Sequence, residues 1–394
     1  MGYNFVYPTS ALYARGLENN GMAKAGILLC LLVVLLTTAA QPVRAQLVGE
    51  QPDPLARIRQ AAKTNVTACS ATGETLCEQV APKIIANAQG GSKIEEDLRR
   101  LREILNSGVA GDEAAAQAAT WGVAAFQDAG IEVHTERFSP WDGRLPEREN
   151  VVAEIRGREK PDEWVIVVAD LTPRANGTGI FGNDCDAATV IEAARDIAGT
   201  GVLPRRSIRF ALFAGAIDGM SGSWAYVRSH NAELDRARGA ITMRVGCFTM
   251  GGYKLNGRHD IEPGLREAMK PIQSFGADTF KYDALMESEN LNFLLEGIPA
   301  LSAVNASETV NGLPALKHGN HSPDQIPRDV EDLKRNTAIV AVTAFGIAER
   351  SQPIGPRQSR SQIESLLKTT GLEQELKGSD IWMQWESGQR GRLP

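Results

Sequence analysis

The sequence predicts an α/β protein with a mixed, largely parallel central sheet flanked by helices. Residues 164–169 and 207–215 are apolar and rich in β-branched side chains, which is typical of strands buried on both faces. An amphipathic helix over about 185–198 lies between them, so the three elements form one βαβ unit. Ligand sites in such sheets lie beyond the carboxyl ends of the strands. We therefore expect a site in the loops 170–184 and 215–219.

Length and composition fit a globular protein with one large domain or two ordinary ones. The chain has 394 residues, of which 43% are apolar and 23% are charged, and a domain of common size has about 150 residues. The formal net charge is −6 and there is no basic run. This charge pattern argues against nucleic acid as a partner.

The N-terminal segment has the layout of an export signal. Residues 25–40 carry no charge, follow Lys24 and precede a small residue, Ala45, at the expected cleavage position. The apolar run is shorter than the roughly 20 residues that a membrane span needs. We predict that residues 1–45 are a secretory signal peptide with Met22 as the better start, and that the protein is periplasmic or extracellular. An uncleaved N-terminal anchor formed by residues 25–40 is the alternative.

Export implies an oxidising compartment, in which cysteines form disulfides. Cys69 and Cys77 lie eight residues apart in a polar loop, and we predict a local disulfide between them. Cys185 and Cys247 lie in apolar surroundings, where buried free thiols are expected. No Cys-x-x-Cys motif occurs, so a thiolate zinc site is not expected.

The elements before the central unit divide into an extension and the start of the α/β domain. Residues 46–112 are predicted to be an N-terminal helical extension, with helical spacing of apolar residues over 84–105. A helix over 112–129 follows, and two strands over 131–138 and 150–157 precede the central unit.

The elements after the central unit continue the same alternation. In order, they are a helix over 221–230, a strand over 240–246, helices over 261–272 and 290–296, a strand over 298–303, a long polar loop over 305–327, a helix over 330–350 and an amphipathic piece over 362–376. Loops as long as 305–327 are usually functional or mobile. We assign residues 113–350 to the α/β domain and residues 351–394 to a C-terminal tail with a short helix.

Several motifs resemble one family of exported enzymes. They are NVVAEIRG (150–157), AxL (169–171), GTG (177–179), RRxIRFxLFxG (205–215) and GSxAY (222–226). Together with the order of elements, they resemble the exported di-zinc aminopeptidases and the plasma glutamate carboxypeptidase-like zinc peptidases of clan MH, over about 115–350. The resemblance implies a zinc-aminopeptidase-like, phosphorylase/hydrolase-like α/β/α sandwich.

The resemblance also implies where the family's chemical groups would stand. The family uses two zinc ions, a bridging carboxylate and a general-base glutamate that activates the bridging water. The matching positions hold Asp170 (a histidine in the family), Thr172 (an aspartate), Gly182 (the bridging aspartate), Ala216 and Ile217 (the base and ligand glutamates), Arg244 (an aspartate) and His318 or His321 (the last histidine).

By this correspondence at most one of five zinc ligands remains, and the general base is absent. Zinc sites in proteins need three or four nitrogen, oxygen or sulfur donors. Arg244 adds a fixed positive charge that repels a divalent cation. The sequence therefore predicts a pseudoenzyme with vestigial site positions, no catalytic residue, no bound metal and no zinc, although zinc is the cofactor that the family implies.

Four aspartates near the same loops offer a second interpretation. Asp170, Asp184, Asp186 and Asp218 would give the oxygen ligands that calcium prefers. Alternatively, Asp184 and Asp186 cap the N-terminus of the helix, and Asp170 pairs with Arg244.

Three hypotheses about function follow. The first is an exported binding module or accessory subunit of an envelope or membrane complex, with a protein partner contacted through the old cleft, the 305–327 loop or the tail with Trp382 and Trp385. The second is an atypical metallopeptidase or hydrolase with a site rebuilt around Asp170, Asp218 and His318 or His321. The third is a decaying paralogue without a role, against which stands the intact apolar face of every predicted element.

Overall fold

The computed structural model describes residues 73–105, 111–171, 183–284, 286, 288–306 and 326–393. All of these residues belong to one compact unit that spans 52–394. The predicted signal segment 1–45, Cys69, Thr172, Gly182, His318 and His321 lie outside the described residues. In the part of the chain that is described, no helix is both long enough and apolar enough to cross a membrane.

A mixed sheet forms the centre of the described structure. Its strands are β1 (Glu132–Phe138), β2 (Arg148–Ile155), β3 (Lys160–Asp170), β4 (Arg206–Phe213), β5 (Ala237–Thr242), β6 (Met250–Lys254), β7 (Thr279–Lys281) and β8 (Ala300–Asn305). They are arranged in the order β1-β2-β4-β3-β5-β8-β6-β7. β4, β3, β5 and β8 are parallel neighbours, whereas β1, β2 and β6 join the sheet through antiparallel pairings. The predicted mixed, largely parallel sheet is confirmed.

Helices cover both faces of this sheet. They are α1 (Gly73–Gly90), α2 (Ile94–Leu105), α3 (Gly111–Asp128), α4 (Asn183–Gly199), α5 (Ser221–Ser229), α6 (Glu262–Met269), α7 (Asn290–Leu295), α8 (Ile326–Glu349), α9 (Arg360–Thr370), α10 (Leu372–Leu376) and α11 (Asp380–Glu386). Short 3-10 turns connect several of them.

Alternation along β3 divides the apolar core into two layers. Val165 and Val167 point into the layer formed with α1–α4, α6 and α8. Ile166 and Val168 point into the opposite layer, formed with α5, α7 and α9–α11. Because successive strand side chains point to opposite faces, one strand contributes to both layers and must be apolar throughout. This explains why the continuous apolar run of β3 is the clearest strand in the sequence.

Three local features differ from the sequence-based expectations. The predicted helix over 84–105 is two helices, α1 and α2, separated at Gly91–Lys93, where the Ser92 hydroxyl accepts a hydrogen bond from the Ile94 N–H at 3.2 Å. β6 and β7 are not predicted, because β6 contains two glycines and β7 has only three residues. The tail forms three short helices instead of one.

The tail packs into the core of the described unit. Trp385 is fully buried, and the Arg360 guanidinium lies over its ring at 3.9 Å. Trp382 is partly buried, with Lys377 over its ring. Trp385 is therefore a packing residue and cannot contact a partner directly.

The prediction that Cys185 and Cys247 are free thiols is wrong. These residues form a disulfide with each other and are not free thiols. Cys185 begins α4 after β3, and Cys247 follows β5. Because β3 and β5 are neighbouring parallel strands, the loops at their carboxyl ends bring the two sulfurs together.

Cys77 does not form the predicted disulfide with Cys69. Cys77 is a free thiol that continues the buried stripe of Ala81 and Ile84 on α1. Burial, assisted by the negative charge of Glu349, raises the pKa of the Cys77 thiol to about 12. The side chain therefore acts as a small apolar core residue.

Candidate functional site

The carboxyl ends of β3, β4 and β5 meet at one edge of the sheet, which we call the carboxyl edge. β3 ends at Asp170, which is in register with Phe213 at the end of β4. Val168 pairs with Thr242 of β5, so Arg244 lies beside the end of β3. Sequence reasoning expects the site at this edge, and the structure brings Asp170, Arg244 and the turn after β4 to it.

The turn after β4 has a tightly defined backbone. Ala216–Asp218 forms a 3-10 turn flanked by Gly215 at φ +83° and Gly219 at φ +73°. Met220 also lies in the left-handed region, with φ 55° and ψ 47°, which is uncommon for a residue with a side chain. A Cβ on Gly222 would lie 2.2 Å from the Ala214 carbonyl oxygen. The backbone therefore holds positions 216 and 217 in place although neither is a carboxylate.

Asp218, one candidate for a rebuilt site, is held by an arginine. The Arg148 guanidinium donates to the Asp218 carboxylate and also to Asp112 at 2.9 Å. The Arg148 side chain is 10% exposed, so this pair is largely removed from solvent. Burial opposes the charge of Arg148, but the carboxylates of Asp218 and Asp112 outweigh it and raise the pKa of the guanidinium.

Asp184 is held in a second arginine cluster, and the disulfide lies within it. Arg102 of α2 donates through Nε to Asp184 Oδ2 and through Nη2 to Asp329 Oδ2, both at 2.8 Å. The same Nη2 lies 3.3 Å from Cys247 Sγ and 3.6 Å from Cys185 Sγ. One guanidinium therefore ties α2, α4, α8 and the loop after β5 together.

Asp186 is buried and turned toward the backbone. Its Oδ1 accepts hydrogen bonds from the N–H groups of Val245 at 3.1 Å and Gly246 at 2.9 Å. Burial is the main cause that raises the pKa of Asp186 to about 8, and the two backbone donors offset only part of it. Asp186 therefore fixes the loop after β5.

Asp170 accepts a hydrogen bond from Asn183 Nδ2 at 2.8 Å. The first residue of α4 thus contacts the end of β3 directly. The predicted pairing of Asp170 with Arg244 stays a prediction.

The four aspartates do not assemble into a calcium site within the described residues. There, the only three metal-ligand atoms that lie within 4.8 Å of one another belong to Asp184, Cys185 and Cys247. The two sulfurs are bonded to each other, and Asp184 is paired with Arg102. The alternative, that Asp184 and Asp186 cap the N-terminus of α4, stays a prediction, because their hydrogen bonds described above go to Arg102 and to the backbone of the loop after β5.

The described residues do not fit the zinc site that the resemblance implies. The Ala216 side chain has no atom that can bind a metal ion. The Arg244 guanidinium is positively charged and cannot act as a metal ligand. Asp170 remains as a single oxygen donor at the edge. The assignments of Thr172, Gly182, His318 and His321 stay predictions, as does that of Ile217, whose backbone lies in the described turn.

Glu289 is a site residue that sequence reasoning missed. It is 3% exposed, and neither carboxylate oxygen makes a hydrogen bond of normal geometry within the described structure, although the hydroxyl and N–H of Ser223 lie near enough to lower its pKa. Burial, and then the negative charge of Asp170, raise the pKa of Glu289 to about 8, although Ser223 and Arg390 act in the opposite direction. Glu289 precedes α7 and lies close to the end of β3.

Comparison with known proteins identifies a similar family. Residues 150–338 match the model of Peptidase family M28. This segment, which is nearly half of the chain, is similar to peptidase family M28. Carboxypeptidase Q from Rattus norvegicus is 24% identical over 204 residues, which are 52% of this chain and 42% of that protein. The chain therefore matches less than half of the length of the curated relatives.

Solved structures of the family share the fold at low sequence identity. The peptidase M28 precursor from Shewanella amazonensis has a TM-score of 0.60 at 16% identity, with 72% of this chain and 99% of that chain covered. A zinc aminopeptidase from Bacillus subtilis has a TM-score of 0.52 at 13% identity, with 64% and 94% covered. These similarities establish the α/β fold of an M28 peptidase.

Sequence signals for the missed residues are weak. Arg102, Arg148 and Glu289 contact residues that are distant in sequence, and Arg102 lies 227 positions from Asp329. One signal was available for the disulfide: Cys185 and Cys247 each follow the carboxyl end of a strand, and the four cysteines after residue 45 are an even number that allows pairing.

Proposed function

We propose that the chain is an exported M28 pseudo-peptidase that does not hydrolyse peptides and that acts as a binding module or an accessory subunit of an envelope or membrane complex. The observation that carries this proposal is the turn after β4. Its backbone is held tightly by Gly215, Gly219 and Gly222, yet it presents Ala216 where the resemblance expects a general base.

The partners of the remaining acids support the same proposal. Asp184 is bound by Arg102 and Asp218 by Arg148, and both guanidinium groups are largely buried. Asp186 is turned to backbone N–H groups. A metal ion would have to displace buried ion pairs, which costs free energy because each freed charge would remain in a poorly solvated place.

Export is supported by two independent features. The first is the uncharged run at 25–40 after Lys24. The second is the disulfide between Cys185 and Cys247, since stable disulfides are typical of exported proteins. Fractionation of cells that produce the tagged protein, with N-terminal sequencing of the product, tests this part. A mature chain that begins just after Ala45 is expected, and a cytoplasmic full-length chain would contradict export.

An atypical hydrolase around Asp170, Asp218 and a histidine of the long loop is not favoured. Asp218 is engaged by Arg148 and cannot serve as a free ligand or base without breaking that pair. Asp170→Ala is the direct test of this alternative. A peptidase activity that disappears in this variant would restore it.

Metal content is the first measurement. The protein, purified without added zinc or chelator, and the zinc aminopeptidase from Bacillus subtilis, purified in parallel, are analysed by elemental mass spectrometry. We expect less than about a tenth of an equivalent of any transition metal, because three or four donors are needed to hold zinc. One or two equivalents of zinc would contradict the proposal.

A peptidase assay completes the test. Both proteins are incubated with a panel of amino-acid amides and dipeptides, with and without added zinc. We expect turnover by the Bacillus subtilis enzyme alone. Hydrolysis by this chain that is lost on Asp170→Ala would overturn the pseudo-peptidase assignment, whereas hydrolysis that survives that variant would indicate a contaminant.

A further inference from the structure

Several of the buried polar atoms without partners belong to residues on one face of the sheet, next to the carboxyl edge. Within the described residues, hydrogen-bond partners are missing for both carboxylate oxygens of Glu289, both amide atoms of Asn290, and the hydroxyls of Thr242 and Ser302. All four side chains are at most 5% exposed. Such atoms are rare in native proteins, and each one calls for a physical explanation.

The strand register places two of these side chains side by side. Thr242 of β5 pairs directly with Ser302 of β8. Two residues earlier, Ala240 and Ala300 point into the layer formed with α7, so Thr242 and Ser302 point into the same layer. α7 packs against both strands, and Glu289 and Asn290 stand at its start.

Among the described residues, no positively charged side chain is bonded to Glu289. Arg390 is nearly fully buried, but its Nε donates to Asn292 at 2.7 Å, its Nη1 to Gln384 at 3.2 Å and its Nη2 to the Gly219 carbonyl at 2.7 Å. None of these donors reaches Glu289. Asp170 adds a second negative charge close enough to act on Glu289.

Apolar side chains border the same region. Met220, Phe293 and Met286 belong to this layer, and Met286 is only partly buried. Methionine adapts its shape to irregular alkyl groups. The surroundings therefore suit an organic group attached to a cation better than a bare metal ion.

We propose that Glu289, with Asn290, Thr242 and Ser302 beside it, binds a small molecule that carries a primary ammonium group. An ammonium group has three N–H donors, which match the two carboxylate oxygens of Glu289 and the side-chain oxygen of Asn290. Its positive charge offsets the repulsion between Glu289 and Asp170. The inference rests on the proposed function, because it names a ligand class for the binding module.

A shared proton is the competing explanation. If Glu289 stays protonated and donates to Asp170, the pair needs no ligand. The test therefore compares a charged probe with an uncharged one of the same shape, and it compares the wild-type chain with variants that differ by one group.

Ligand-observed NMR titration of the full chain with n-butylammonium chloride and with 1-butanol is the experiment. We expect n-butylammonium to bind about tenfold more tightly than 1-butanol, since a charged hydrogen bond in a buried site is worth at least that ratio. In Glu289→Gln we expect this preference to vanish. In Thr242→Val we expect the affinity for n-butylammonium to fall about threefold.

Glu296→Gln is the matched control. Glu296 lies at the other end of α7, is buried, and is paired with Arg357 at 2.8 Å. This variant should bind n-butylammonium within about twofold of the wild type. If Glu289→Gln fails to fold, as judged by circular dichroism, Glu289→Asp is used instead and should weaken binding while keeping the preference for the cation.

Two results would overturn the inference. The first is equal binding of n-butylammonium and 1-butanol to the wild-type chain, as the shared proton predicts. The second is an undiminished preference for the cation in Glu289→Gln. Failure of the proposed function is read separately, from zinc content and peptide hydrolysis, neither of which depends on the binding of n-butylammonium.

Discussion

At the amino edge of the central sheet, where the parallel strands begin, the buried Glu349 and Arg206 lie in ion pairs. At the carboxyl edge, the buried Asp186 and Glu289 form no ion pair with another described residue. Glu349 at the end of α8 is fully buried and accepts from Arg158 Nη1 at 2.6 Å and from the Arg205 N–H at 2.8 Å. Arg206 is 1% exposed and donates to Glu163 at 2.6 Å.

Two buried acids at the carboxyl edge are held differently, although ion pairs such as Arg102 with Asp184 lie beside them. Among the described residues, Asp186 accepts from the backbone N–H groups of Val245 and Gly246, and Glu289 makes no hydrogen bond of normal geometry. The pKa of each acid is raised to about 8. Ion pairs hold Glu349 and Arg206 at the amino edge, whereas burial disfavours the ionised form of Asp186 and Glu289 at the carboxyl edge, and a bound cation would favour the ionised form of Glu289.

Removal of the disulfide at the carboxyl edge should have the largest effect on the free energy of unfolding. The Cys185–Cys247 disulfide spans 62 residues, and closing a loop of that length is worth about 4 kcal/mol in the chain-entropy model. We expect the double variant Cys185→Ala, Cys247→Ala to lose about this amount of unfolding free energy, measured by urea denaturation.

Reduction of the wild-type chain provides the internal control. A dithiol reductant should bring the wild type to the stability of the double variant and leave the double variant unchanged. Equal stability of the oxidised wild type and the double variant would show that the carboxyl edge is held by Arg102 and its carboxylates alone.

Removal of one partner from a buried ion pair gives the second largest effect and tests the amino edge. In Glu349→Gln the buried Arg158 loses its buried counter-charge and keeps only Glu159 at 3.0 Å, whose side chain is 45% exposed, so we expect a loss of about 3 kcal/mol. Glu95→Gln is the control, since Glu95 and Arg99 are both 53% exposed and such pairs contribute less than about 1 kcal/mol. Similar small losses in both variants would remove the distinction between the two edges.

The patterns that predicted the fold are local, and the site depends on contacts that are not. β3, α4 and β4 follow from runs of apolar residues whose period sets the element type. Arg102, by contrast, meets Asp184 and Asp329 only because α2 packs beside α4 and α8. No periodicity in a single sequence carries that information.

The cysteines also show that a single sequence does not give the contacts between distant residues. Proximity in sequence suggested Cys69 with Cys77, yet Cys77 faces the core from α1. The disulfide forms between Cys185 and Cys247 because adjacent strands β3 and β5 end at one edge. The order of strands in the sheet decides the pairing, and the sequence predicts parallel strands without giving their order.

The pH dependence of stability gives the smallest effect when it is measured over a single pH unit, and it tests the carboxyl edge most directly. The pKa of Asp186 is about 8 in the folded chain, against an ordinary value of 3.8. Between these values the unfolded state has released this proton and the folded state keeps it, so the folded state binds more protons. Stability therefore falls as pH rises from about 5 to about 7.5, by up to about 1.4 kcal/mol per pH unit from this group.

Asp186→Asn isolates this contribution, because the amide oxygen can still accept from Val245 and Gly246. We expect urea denaturation between pH 5 and 7.5 to give a flatter pH dependence for Asp186→Asn than for the wild type. Asp162→Asn, at an exposed position of β3, controls for the loss of one carboxyl group and should keep the wild-type slope. Groups such as Glu163, with a pKa lowered to about 2, are ionised in both states throughout this window and do not contribute. An unchanged slope in Asp186→Asn would mean that Asp186 is ionised when folded, and the carboxyl edge would then hold buried charge as the amino edge does.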